Sequence, residues 1–518
     1  MSEHPTTASP EPAYPHPQPY TPNFLRRIHR GLSSWFGLLN EWDFRVPVGS
    51  LRFLGLHLLL VNDPAAVRRV LVTEVDQFPK HPYTLWMLEP LIGRGIFSVN
   101  GEEWAHQRRL LDQALQTAQL QRVLPQMNGA VEASLARLEA QLQAAQAAGC
   151  PEEGPPIDAD AEMSLVTADV IVRTILSRPL EGAEATAIFA AFSRYQKRAG
   201  RALMLRFLRF PRRRLQGYLA THAAPIRAWI AAAIDERLAD ASAPGDDLLG
   251  ALLAARDPDT GGGFSRDGLV DQVCVLFLAG HETSASALAM AVYLLGRFPQ
   301  VQQRLRAEVL QVLGTRAGAP DRSLGFEELR QLSYGAAVFN ETLRLYPPLS
   351  FFIRESQVDT ELAGSRCPMR ALVALSPWVI QRHEQHWSEP NAFRPERFLT
   401  DTPTDTSTES STHNAGGPSS VDDRRWARDA FLPYGLGPRK CPGAAFAQQE
   451  ALLVLAELVR RFEVLPDPEH EPELVARLTL RSRNGIRVRL VRRPHCSEVG
   501  PEGPRVDAPE WQQNLVQP

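Results

Sequence analysis

The chain has 518 residues, of which 44% are hydrophobic and 22% charged, and its formal net charge is −3. This is the composition of a soluble globular protein, and the near-neutral charge provides no global attraction to nucleic acid. Its five cysteines, Cys150, Cys274, Cys367, Cys441 and Cys496, lie at least 55 residues apart, which excludes a disulfide-stapled scaffold, local zinc knuckles, a CxxCH haem attachment and a CxxC redox pair. Cysteine chemistry, if any, rests on one thiol acting alone.

At about 150 residues per domain, length alone suggests three or four domains. In chain order, residues 1–22 carry seven prolines and no signal-peptide core, so they are expected to form a disordered tail. An apolar run at 51–61 reads as a strand. Helical spacing of apolar residues marks 102–120, 128–148, 220–240, 298–313 and 443–462. Short strands are expected at 371–375 and 486–492. Residues 401–425, rich in Ser, Thr, Asp and Gly, read as a surface insertion, and 494–518, with five prolines, as a second disordered tail. No composition break divides 23–493, so the expected fold class is mainly α with small β-sheets in a single large domain.

The run 267–296 is apolar on all sides and long enough to span a bilayer. His281 and Glu282 at its middle favour the other reading, a helix through a protein core. Its polar cluster, Gly280 to Ser284, then predicts a cavity, water or a cofactor, because buried polar groups need partners. His281-Glu282 does not make an HExxH zinc site, because position 285 is alanine. No phosphate-binding glycine loop is present.

Residues 431–443 (FLPYGLGPRKCPG) carry the sharpest signal. Glycines 437 and 443 would let a flat object approach the backbone. Pro442 suits the first turn of a following helix, whose positive end, with Arg439 and Lys440, would favour a thiolate at Cys441. Such a thiolate is either a nucleophile or the sole protein ligand of a metal cofactor.

This segment resembles the haem-binding loop FxxGxRxCxG of the cytochrome P450 family. Gly437, Arg439, Cys441 and Gly443 match, and Tyr434 stands at the usual phenylalanine. Further landmarks follow the family's order across residues 40–493. Glu341-Thr342-Leu343-Arg344 is similar to its ExxR helix, although Glu327/Arg330 and Glu457/Arg460 share the spacing as plausible surface pairs. Trp387 and Phe393 to Phe398 resemble its PERF segment, Ala279 to Ser284 its oxygen-binding motif, and Trp104-x-x-x-Arg108 its WxxxR helix. Gln381-Arg382 stands where the family often has His-Arg.

The resemblance implies a monooxygenase that binds heme b (iron protoporphyrin IX) and inserts one atom of dioxygen into a hydrophobic small molecule. Cys441 would be the iron ligand. Trp104, Arg108, Arg354 and Arg439 would bind the haem propionates, and a Glu341–Arg344–Arg397 network would brace the proximal side. Glu282 and Thr283 would deliver protons, the Thr283 hydroxyl bonding the Ala279 carbonyl and opening the helix locally. Electrons are expected from a separate partner, a ferredoxin or flavodoxin with its reductase or a flavin reductase, docking near Lys440, Arg424, Arg425 and Arg428. Trp86, Met87, Leu91, Ile92 and Phe97 would cap the pocket. The alternative is a non-catalytic haem carrier or gas sensor. Residues 194–214 hold nine Arg or Lys and no acid, interleaved with Leu203, Leu205, Phe207, Leu208 and Phe210, a pattern suited to peripheral membrane contact. No transmembrane anchor is expected, and the expected location is the cytoplasm.

Overall fold

The apolar run around His281 folds as one 32-residue helix, Arg266–Arg297. The Ser265 hydroxyl caps its start, accepting from the Gly268 amide at 3.1 Å. Among the described residues it is the one helix long and apolar enough to cross a membrane, yet most of that surface is buried inside the protein. In the computed structural model the described residues are 11–19, 30–31, 34–53, 56–81, 86–150, 154–180, 182–207, 210–239, 245–314, 322–399 and 429–493.

The longer helices in chain order are α1 (Gly101–Ala114), α2 (Leu124–Ala147), α3 (Ala159–Leu176), α4 (Gly182–Phe207), α5 (Arg212–Ala239), α6 (the central Arg266–Arg297), α7 (Pro299–Leu313), α8 (Ser333–Leu345) and α9 (Ala444–Arg461). The strands are β1 (Val48–Phe53), β2 (Leu56–Val61), β3 (Ile157–Asp158), β4 (Phe352–Glu355), β5 (Thr360–Leu362), β6 (Ser365–Cys367), β7 (Leu372–Leu375), β8 (Phe462–Pro466), β9 (Leu474–Ala476), β10 (Leu480–Ser482) and β11 (Arg487–Arg492). The architecture is mainly α with small sheets, as expected.

Helix α3 lies along α6, and Gly280 permits the approach: a Cβ there would sit 2.8 Å from Ile171 Cδ1. Thr167 of α3 donates to the His281 carbonyl at 3.1 Å. The largest sheet has the order β1-β2-β7-β4, with β2 and β7 parallel and the other pairs antiparallel. Beneath it a second core gathers Leu59, Val61, Val67, Phe78, Val373 and Trp387. The main core surrounds α6.

Several expectations are corrected. The run 51–61 is two strands, paired from Val48↔Val61 to Phe53↔Leu56; Gly55 was the available turn signal. The helix expected over 102–120 ends at Ala114, and extended backbone at Gln116 redirects the chain into a short helix, Thr117–Arg122, that buries Leu120. Within the first proline-rich stretch, residues 11–19 are packed on the body. Both backbone polar groups of Ala13 are paired: its amide donates to Tyr293 Oη at 3.0 Å and its carbonyl accepts from Tyr346 Oη at 2.8 Å. Tyr14 stacks on Trp378 with centroids 6.0 Å apart. Composition averaged over 22 residues hides this one aromatic anchor. The insertion 401–425, the tail 494–518 and the cations Arg424, Arg425 and Arg428 lie outside the described residues, as do Leu208 and the side chains of Leu203 and Phe207.

Candidate active site

The loop entering α9 is shaped by its glycines. Gly437 has φ +71°, and a Cβ there would fall 2.1 Å from the Leu71 carbonyl oxygen, which no side chain tolerates. The Cys441 amide donates to the Tyr434 carbonyl at 2.8 Å, closing the loop. Helix α9 begins at Ala444 with Gly443 as its cap residue, two residues after Pro442, where the sequence suggested it would start.

Cys441 lies at the end of this loop with its side chain exposed. Its thiol is accessible, yet the surrounding protein desolvates it and raises its pKa above the ordinary thiol value. The Gly443 N–H, Arg108 and Lys440 pull the other way. The expected thiolate is therefore not secured by the helix end and its cations alone, because desolvation outweighs them. A coordinated metal cation deprotonates a thiol outright.

Three cations converge beside this loop. Arg354, on β4, is 7% exposed and its Nε has no hydrogen-bond partner among the described residues. Arg439 lies with its guanidinium 4.3 Å from the Trp104 ring centroid, and its Nη1 is likewise buried and unpartnered. The Lys80 ammonium, bridged to Arg354 through the backbone, donates to the Ile96 and Phe97 carbonyls, at 3.1 and 3.0 Å. Burial first, and then Arg439 and Arg354, push the Lys80 ammonium down to about 7. Burial and Arg439 lower Arg354 to about 10. Sequence reasoning missed Lys80, since a lone lysine after Phe78-Pro79 carries no motif. Arg108 is placed differently: it pairs with Asp112 at 2.8 Å and donates to the Lys440 carbonyl at 2.6 Å, holding the cysteine loop to α1.

On α6 the polar cluster divides. The Thr283 hydroxyl donates to the Ala279 carbonyl at 2.6 Å, and Ala279 is exposed on a helix otherwise almost wholly buried. The helix nevertheless stays continuous through this point, so the expected local opening is absent. Glu282 is 8% exposed and accepts from Gln196 of α4 and, at 2.9 Å, from Thr479 beside β10. Arg481 stands 3.8 Å from it. Burial raises the Glu282 pKa against the pull of Arg481 and the Thr479 hydroxyl. Burial also pushes His281 down to about 3, so its ring is neutral. Two residues after Glu282, Ser284 donates to Glu450 of α9, tying this cluster to the helix after Cys441. Glu450, buried and pushed up to about 8, is a second group that motif reading passed over.

Glu341, Arg344 and Arg397 form the expected network. Arg344 grips Glu341 at 2.6 and 2.8 Å, and Arg397 reaches the same carboxylate at 3.2 Å. Arg344 also donates to three carbonyls, those of Gln381, Pro390 and Ala392. Of the two other spacings, Glu327–Arg330 is an exposed pair at 3.6 Å. Glu457–Arg460 is buried, because α9 sinks that face into the core, so its reading as a surface pair is corrected. Of the residues expected to cap the pocket, Trp86, Met87, Leu91 and Ile92 are core members and Phe97 is 37% exposed. Tyr195 Oη donates to the Met87 carbonyl at 2.8 Å and Arg227 to that of Leu91 at 2.7 Å, so this segment is tied to α4 and α5.

A planar dianionic cofactor carrying a metal fits these residues. The buried donors Arg354 Nε and Arg439 Nη1, without a hydrogen-bond partner among the described residues, suit carboxylates brought by a ligand. An accessible cysteine desolvated by the protein around it calls for a cation to hold it as thiolate.

The comparisons agree with that fit. The family model for Cytochrome P450 matches residues 35–488. Cyclooctatin synthase of Streptomyces melanosporofaciens is 31% identical over 73% of this chain and 75% of its own length. Pentalenene oxygenase of Streptomyces avermitilis is 29% identical, covering 83% of this chain and 87% of that one. A cytochrome P450 crystal structure superposes with TM-score 0.74 at 23% identity, covering 93% of this chain and 100% of that one, and so has the same fold.

Proposed function

Because the chain belongs to the cytochrome P450 family of haem monooxygenases, we propose that Cys441 would be the thiolate ligand of a heme b that Arg354, Arg439 and Lys80 would hold. The observation that carries this reading is the convergence of three cations, Arg354 buried and Lys80 and Arg439 half-buried, beside an accessible thiol. Trp104 supports Arg439 from below its guanidinium, and Arg108 steadies the loop through the Lys440 carbonyl. Bound there, the haem supplies the activation of dioxygen, and one oxygen atom enters a hydrophobic small molecule with two electrons from a separate partner.

The chain's own residues handle protons and charge. Thr283 anchors its hydroxyl hydrogen on Ala279 and leaves its lone pairs to accept. Glu282, whose pKa burial raises, is the residue from which a proton passes to the Thr283 side, by side-chain rotation or through water. Apolar burial of the Trp86–Ile92 segment excludes bulk water. For the electron donor we favour a ferredoxin or flavodoxin type approaching exposed Lys440. We place the protein in the cytoplasm, with peripheral contact to an anionic membrane through Leu205, Phe210 and Tyr218, which are exposed among the arginines of α4 and α5.

The test is spectroscopic. The reduced protein with carbon monoxide is expected to give the red-shifted Soret band of thiolate ligation, lost in Cys441→Ser. An unshifted band in the wild type overturns the assignment.

A further inference from the structure

We propose that Gln381 is a positioning residue for the thiolate loop, clamping the entry of that loop to the end of helix α8. This rests on the reading of Cys441 as the haem ligand and goes beyond it. Gln381 is fully buried, and its side chain makes three hydrogen bonds. Nε2 donates to the carbonyls of Leu343 and Arg344 at 3.0 and 2.9 Å. Both belong to the last turn of α8, where carbonyls have no partner within the helix. Oε1 accepts from the Leu432 amide at 2.7 Å. The clamp is itself held, because Arg344 donates to the Gln381 carbonyl at 2.9 Å.

Leu432 begins the loop that carries Cys441. Its carbonyl accepts from the Gly435 amide at 3.1 Å, and the Tyr434 carbonyl accepts from the Cys441 amide at 2.8 Å. A continuous set of short backbone bonds thus runs from the clamp to the thiol. The buried Glu341–Arg344 pair transmits its rigidity to Cys441 through one amide side chain. At this position the family often has histidine. A neutral imidazole offers one donor and one acceptor, so it can replace at most two of the three bonds, whereas the glutamine amide satisfies all three.

Gln302 provides a matched control. It is 2% exposed and has the same bonding pattern, donating to the Leu295 and Val464 carbonyls at 3.0 and 2.9 Å and accepting from the Val464 amide at 2.9 Å. Its partners lie on α6 and β8, away from the cysteine loop.

The experiment compares haem-loaded Gln381→Leu, Gln381→His and Gln302→Leu with wild type. Each is reduced under carbon monoxide, and the ratio of unshifted to red-shifted Soret absorbance is read well below the unfolding midpoint of that protein. Gln381→Leu is expected to raise the ratio by about tenfold, the loss of about 1.4 kcal/mol of loop positioning. Gln381→His should give a smaller rise, and Gln302→Leu should lower the unfolding midpoint while leaving the ratio at the wild-type value. If Gln381→Leu does not fold, the comparison of Gln381→His with Gln302→Leu decides. A ratio in the Gln381 variants equal to that of Gln302→Leu overturns the clamp. A wild type without the red-shifted band overturns the haem-thiolate reading instead.

Discussion

Glu282 and Thr283 are neighbours in the chain but belong to two different hydrogen-bond systems. Thr283 bonds back to Ala279 at 2.6 Å, on the exposed stripe of α6. Glu282 accepts from Gln196 and Thr479, across the junction of α4 with β10. Adjacent helical residues diverge by about 100°, so one pair of letters serves both an exposed stripe and a buried polar layer. Removing the hydroxyl should leave oxygen uptake intact and cut product formed per oxygen consumed several-fold in Thr283→Ala. Glu282→Gln should instead slow turnover about a hundredfold. Oxygen-electrode and product measurements with a surrogate reductase distinguish the two, and tight coupling in Thr283→Ala would end the relay reading.

Lys80 gives a pH test of the cation cluster. In the folded chain without an opposing anion its pKa is lowered to about 7 from 10.5, mainly by burial. Between those values the unfolded chain binds more protons than the folded one, so stability of the haem-free protein rises with pH across this window. Below about pH 7 both states are protonated and the penalty is complete. Lys80→Met should flatten this rise and speed haem loss. Denaturant midpoints from pH 7 to 10, with haem transfer to an apo-globin acceptor, check both effects.

Glu450 has the opposite sign. Burial holds its folded pKa near 8, above the ordinary carboxylate value, with the Ser284 hydroxyl opposing. The folded chain therefore binds the extra proton between about 4.5 and 8, and its stability falls as pH rises through that range. Glu450→Gln should raise the unfolding free energy at pH 8.5 by on the order of a few kcal/mol, and change it little near pH 4.5. Equal effects at both pH values would show that its charge is not the cause.

The Glu341–Arg344 pair is fully buried, with both side chains at 0% exposure. Removing one partner, as in Glu341→Ala, should cost about 3–5 kcal/mol and yield little haem-loaded protein. The double change Glu341→Leu/Arg344→Leu should not recover it, because three backbone carbonyls would lose their donor. Thermal unfolding and haem content of the three proteins are the measurement.

Much of this site could be read from one chain because its parts are local. The glycines and cysteine of 431–443, the threonine four residues after Ala279 and the i,i+3 pair Glu341/Arg344 are all defined by spacing along a turn or helix. Spacing alone ranked neither the three ExxR pairs nor their burial: Glu457 proved almost as hidden as Glu341. Gln381 looked like a modest departure from a family pattern, and Lys80 carried no pattern at all. Their partners, Leu432 and Arg354, lie 51 and 274 residues away in sequence.

The amino-acid sequence by itself determined the helical class, the central apolar helix and the cysteine loop that leads into α9, since these follow from periodicity, composition and short-range chemistry. Only the tertiary structure decided which cations are stripped of water, which way Glu282 faces and what holds the cysteine loop. Desolvation and hydrogen-bond partnership depend on segments that meet in space, and no local spacing encodes that meeting.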